Sequence, residues 1–190
     1  MRVMPILLLA LVLAACAIPR IEAEPPGRHQ VGNAYTITTS RSWSRHTGSW
    51  GEVRTIDGFT LGRLQTWARI SDGESLATVE GQTLPAFRAD FTALEVEELV
   101  ADTIEALSTG ADVVVTDLRP APFGSRPGFR FSYHYVDGGL PTRGVALGAV
   151  HDGQLDLILF AAPAEYYFDL YQPEVEQIMA SVTAPIGGRP

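Results

Sequence analysis

The run Gln154-Leu-Asp-Leu-Ile-Leu-Phe160 constrains the fold of this chain more than any other. Side chains alternate between faces along a strand. Leu155, Leu157 and Leu159 therefore face one way, and Ile158 and Phe160 the other. A strand that is apolar on both faces has to be covered on both sides. Asp152-Gly153 stands just before it, and this dipeptide accepts the positive φ angles of a tight hairpin turn. Arg143 to His151, on the far side of that turn, reads as the antiparallel partner.

The rest of the chain repeats this logic. Asp57-Gly58 joins Glu52–Ile56 to Phe59–Ile70 as a second hairpin signal. Gly128 to Val136 alternates, with Phe129, Phe131, Tyr133 and Tyr135 on one face and Arg130, Ser132 and His134 on the other. Asp137-Gly138-Gly139 then turns the chain. Ala34–Thr38 and Asp112–Leu118 are further strand candidates. Residues 40–51 (SRSWSRHTGSWG) read as a loop, and 120–128 (PAPFGSRPG) as a rigid connection.

Two helices are expected. Thr92 and Glu95 have the spacing of a capping box, with Phe91 and Val96 placed for a hydrophobic staple. Val96, Leu99, Val100, Ile104 and Leu107 then follow a 3.6-residue period, which Gly110 ends. The acidic residues Glu95, Glu98, Asp102 and Glu105 fall on the solvated side. Near the C-terminus a short aromatic segment, Tyr166 to Tyr171, precedes Pro173, which suits the first turn of a new helix. The expected class is α+β: a mostly antiparallel sheet with helices on both faces, covering the two-sided strand.

The first sixteen residues carry a different signal. Arg2 is followed by an almost wholly apolar run, Val3–Leu13, too short for a membrane span of about 20 residues. Leu13-Ala14-Ala15-Cys16 follows, and Cys16 is the only cysteine in the chain. This tetrad resembles the lipobox of bacterial lipoproteins. The resemblance implies cleavage before Cys16 and acylation of its thiol, so that membrane lipid is the first partner. Two or more acyl chains hold a protein stably on a bilayer. Ala17, rather than Asp, after the cysteine favours the outer membrane in a Gram-negative cell. The expected organisation is a signal peptide at 1–15, a lipidated cysteine and Pro-rich tether at 16–30, one domain at 31–183 and a loose tail at 184–190.

The element order resembles that of the PsbP-like α/β/α sandwich, over about residues 31–183. The likeness rests on the Asp-Gly hairpins and on the closing pattern Ala161-Ala162-Pro163, aromatics, then Pro173-Glu-Val-Glu-Gln-Ile-Met-Ala-Ser181. It implies a fold used mostly for binding and assembly, with no catalytic signature attached.

Composition narrows the partners. The net charge is −8, and all fourteen basic residues are arginine. An acidic surface disfavours nucleic acid, whose phosphates need basic patches. With no cysteine after Cys16, the domain has neither a disulfide nor thiol chemistry, and its core has to hold it.

The chemistry-bearing residues are sparse. The four histidines, His29, His46, His134 and His151, show no metal-binding spacing. Gly124-Ser125-Arg126 is not a nucleophile elbow, because Pro127 intervenes before Gly128. No cofactor, metal site or catalytic set is expected. A ligand or partner surface is expected at Tyr133, Tyr135, Tyr166, Tyr167 and Tyr171, because a tyrosine hydroxyl needs a partner or water. Trp43 and Trp50, flanking the expected loop, belong to the same candidate surface.

The leading expectation is therefore a non-enzymatic, lipid-anchored envelope protein that binds a partner protein or a small ligand. A pocket rimmed by Tyr133, Tyr135 and Tyr166 is one form of it. The alternative is a small periplasmic hydrolase or metal-dependent enzyme using His134, His151 and a nearby carboxylate such as Asp156. It requires the two imidazoles to meet.

Overall fold

A computed structural model describes residues 21–108 and 111–183. Cys16, the segment before it, the expected helix stop at Gly110 and the expected tail at 184–190 lie outside the described residues. In chain order the strands are β1 (Ile21–Glu24), β2 (Gly27–Val31), β3 (Tyr35–Thr39), β4 (Trp43–Thr47), β5 (Glu52–Thr55) and β6 (Arg63–Ile70). Helix α1 (Ala93–Leu107) follows, then β7 (Val114–Phe123), β8 (Arg126–Asp137), β9 (Leu140–His151), β10 (Gln154–Pro163) and helix α2 (Tyr167–Ala180). Eight strands make one antiparallel sheet in the order β1-β4-β5-β6-β10-β9-β8-β7, and β2–β3 is a separate two-stranded ribbon.

The two-sided strand β10 sits in the middle of the large sheet and separates two cores. Leu155, Leu157 and Leu159 join Phe129, Phe131, Tyr133 and Tyr135 with Val96, Leu99, Val100 and Ile104 of α1. Ile158 and Phe160 join Val145 and Leu147 with Tyr35 and Ile37 of β3 and with Phe168, Val175 and Ile178 of α2. Each fully buried Leu, Ile or Phe contributes about 1.5–3 kcal/mol.

The expected sandwich, with helices on both faces, is corrected by this architecture. Among the described residues there are ten strands and only two helices, and no helical layer closes the sheet. Much of the cover is not helical. The β2–β3 ribbon supplies Val31, Tyr35 and Ile37 to one core, and the irregular chain between β6 and α1 supplies Leu76 and Phe87 to the other. A two-sided strand demands apolar cover, and a ribbon or a loop meets that demand as well as a helix.

Other boundaries shift too. The expected tether is partly folded: residues 21–24 form β1, at the edge of the sheet, and 27–30 belong to β2, so ordered structure begins before Val31. The expected 40–51 loop contains β4. The expected connection at 120–128 is the end of β7, a turn at Gly124-Ser125 and the start of β8. Pro173 does not open a second helix but lies inside α2. The capping box is present as its spacing predicts: the Thr92 hydroxyl accepts from the Glu95 amide and the Glu95 carboxylate accepts from the Thr92 amide.

Two glycines set the packing between β8 and β9. Tyr133 lies opposite Gly144 and Phe129 opposite Gly148. A Cβ on Gly144 would fall 2.1 Å from the Tyr133 ring, and one on Gly148 would fall 2.8 Å from Phe129. The rings lie across bare backbone, a cross-strand arrangement that lets an aromatic cover a glycine.

Candidate functional site

A groove of about 680 Å³ lies where β8 and β9 pass beside the start of α2. Its floor carries Ser132 and His134 of β8, on the face opposite the aromatic ladder, and its wall carries Phe168 and Gln172 of α2. Two ion pairs tie the strands to the helix. Arg130 donates to both oxygens of Glu176, at 2.9 and 2.8 Å. Arg143 pairs with Asp169 at 2.9 Å, and its guanidinium lies 4.2 Å over the Phe168 ring. The hydrogen bond from Arg130 holds the Glu176 carboxyl below its ordinary range, and the same bond raises Arg130. Both cations are thus compensated, and the groove offers hydroxyl, imidazole and amide groups beside an aromatic wall. With the exposed Asp112 carboxylate also in the lining, those groups suit a polar surface.

The expected tyrosine surface is distributed unevenly. Tyr133 and Tyr135 line this groove but are each only 3% exposed. The Tyr133 hydroxyl donates to the Phe160 carbonyl at 3.1 Å, and the Tyr135 hydroxyl accepts from Arg63. Burial pushes both phenols above their ordinary pKa. Tyr171 is buried in the other core, and its hydroxyl donates to Asp57; burial and that bond push it up to about 12. Tyr166 is 68% exposed and meets Tyr167 edge to face. Trp43 is a core residue, whereas Trp50 is half-buried and lines a different cleft.

The histidines of the enzyme alternative do not meet. His134 pairs with Arg143 across β8–β9, while His151 pairs with Gln154 across β9–β10. Their levels on β9 are eight residues apart, about 27 Å along a strand. His151 bonds Asp152 at 3.0 Å instead. Asp156 is buried and already occupied: it accepts from the Arg69 amide at 2.9 Å and pairs with Arg126 at 2.8 Å. Arg69 has φ +56°, and the register shifts between Leu155 and Leu157 beside it, so Asp156 holds a bulge in place. No cluster of metal-ligating side chains occurs among the described residues.

Sequence reasoning found the outward set Arg130, Ser132 and His134 but not their partners on α2, since nothing local links residue 130 to residue 176. It also missed the charge network of Glu22, Glu24, Arg45, Glu52 and Arg54. There Arg54 is fully buried, bonded to Glu24 at 2.7 Å, to Glu52 at 2.6 Å and to the Thr66 hydroxyl at 3.1 Å.

The eight-stranded antiparallel sheet, the β2–β3 ribbon and the two helices together make a PsbP-like fold. The solution structure of cyanobacterial PsbP (CyanoP) from Synechocystis sp. PCC 6803 is similar over 90% of this chain and 95% of that one, with a TM-score of 0.57 and 13% identity. At that identity the likeness is one of fold, and it bears out the PsbP-like domain expected from the element order. No protein-family model and no curated protein matches the sequence.

Proposed function

We propose that the chain is a bacterial lipoprotein, held at the periplasmic face of the cell envelope by acylated Cys16, whose sheet domain binds a partner protein or small ligand without catalysing a reaction. The observation that carries this reading is the tetrad Leu13-Ala14-Ala15-Cys16 after a short apolar run. A PsbP-like fold and a groove walled by Phe168 support a binding role. In a Gram-negative cell, Ala17 directs the protein to the outer membrane. The groove beside α2, with Tyr166 and Tyr167 near its helical wall, is the proposed contact surface.

Replacing the thiol tests the anchor. Cys16→Ser is expected to abolish incorporation of labelled palmitate and to leave the precursor unprocessed or the product soluble. Membrane fractionation identical to that of the unaltered chain would overturn the reading. Crosslinking from residue 172 in the anchored protein tests the surface: a specific adduct is expected there and not from the exposed face of α1.

A further inference from the structure

A second cleft, of about 430 Å³, opens on the α1 side of the sheet, between β4–β6 and the C-terminal end of α1. Its volume is within the range of small-molecule sites, about 300–1,000 Å³. Its walls are aromatic and apolar: Trp50, Phe59, Val53 and Leu107. His46 packs on Phe59 with ring centroids 5.7 Å apart.

The polar groups in this wall are incompletely satisfied. Trp50 Nε1, Arg63 Nε and His46 Nδ1 are all shielded from water without a hydrogen-bond partner among the described residues. Buried polar atoms nearly always have partners, and three of the six such orphans among the described residues belong to residues lining this cleft. An indole N–H and a guanidinium N–H can only donate. Arg63 is also a half-buried cation with no carboxylate partner among the described residues. Among the described residues its guanidinium bonds only the Tyr135 hydroxyl, and it stacks over the Trp50 ring at 5.5 Å. The cations facing the α2 groove, Arg130 and Arg143, by contrast each have a carboxylate. Asp137 stands exposed at the rim and makes no ion pair with Arg63.

We infer that this cleft binds a small aromatic carboxylate, its ring against Trp50 and Phe59 and its carboxylate on Arg63. One guanidinium matches one monoanionic, planar carboxylate, and the flat walls of Trp50 and Phe59 match an aromatic ring. The inference gives a ligand class to the binding role proposed above but rests on different residues from the anchor and the α2 groove.

The test is a titration of the full, ¹⁵N-labelled chain in detergent micelles with 2-naphthoate, followed by the indole N–H signals. 2-Naphthamide, equal in size and uncharged, controls for partition into the micelle. Naphthoate is expected to shift the Trp50 indole signal saturably, that signal being assigned by its loss in Trp50→Phe, and to leave those of Trp43 and Trp67 in place. The amide, and the acid on Arg63→Gln, are expected to bind about tenfold more weakly, the loss of one charge-assisted bond. Equal binding of acid and amide overturns the inference, as does the absence of saturation. If Arg63→Gln does not fold, Asp137→Asn carries the test: removing the rim carboxylate should tighten naphthoate by about two- to fivefold, and unchanged affinity overturns the inference. Neither result bears on acylation, and loss of acylation in Cys16→Ser leaves the cleft intact, so the two readings fail separately.

Discussion

At the scale of single residues, Gly144 shows how a position that looks permissive is tightly specified. It lies in the extended strand β9 without a positive φ, so its backbone would accept any residue. Its restriction comes from across the strand, where the Tyr133 ring occupies the place of a Cβ. Gly144→Ala should therefore cost about 1–3 kcal/mol through overpacking, measured as a lower urea midpoint. A loss within error of zero would mean that the ring moves aside freely. Sequence alone made the alternation of Phe129 to Tyr135 legible, because period two is local. The glycines opposite those rings were not legible, because their role depends on the β8–β9 register. The same holds for Asp156. Its neighbours in sequence suggest a carboxylate available for chemistry, and only the fold shows it held by Arg126 and the Arg69 amide.

At the scale of elements, the strands that sequence reading found are those with apolar alternation or an Asp-Gly turn. Those it missed are held by other means. β1 (IEAE) and β4 (WSRHT) have little apolar pattern, and charges join them across the sheet: Arg45 to Glu22, Glu24 and Glu52, and Arg54 to Glu24 and Glu52. Opposite charges on neighbouring strands stabilise pairing that apolar contacts do not supply. Arg54 is the centre of this network and has no access to water. Arg54→Ala should cost about 3 kcal/mol, since removing one partner strands the carboxylates of the others. A chemical denaturation series would show it, and a cost under about 1 kcal/mol would mean that water replaces the guanidinium. β7 was read only in its first half, as Asp112–Leu118, because Pro120 and Pro122 argue against its continuing as a strand. They are tolerated because β7 is the last strand in the sheet order, with a partner on one side only.

At the scale of the whole molecule, the ion pairs between the sheet and α2 give the fold a defined response to acid. Glu176 titrates below its ordinary 4.5 because Arg130 hydrogen-bonds its ionised form. A carboxyl depressed in the fold stabilises it at pH above the unfolded value, and that stabilisation is lost as pH falls through the folded value. Glu176→Gln should thus lower stability at pH 7 by about 0.5–1 kcal/mol, modest because the pair is partly solvated, and make little difference near pH 3. Denaturant midpoints at the two pH values check the sign. The sheet, its antiparallel sense and the helix capped by Thr92 were legible, since each has a local signature. The full cover of the sheet was not, because a ribbon and an irregular segment carry no periodicity. The position of β1 has a mechanical consequence. It is the strand nearest in sequence to Cys16 and an outer member of the sheet, joined to β4 from Ile21↔His46 to Glu24↔Trp43. Under the anchoring proposed above, a pull applied from the N-terminal side reaches the described domain first at Ile21 and would peel β1 from that end. Glu24, clamped by Arg45 and Arg54, is the last point to yield. If Cys16 is the anchor proposed above, the charge network is the rivet that resists such a pull.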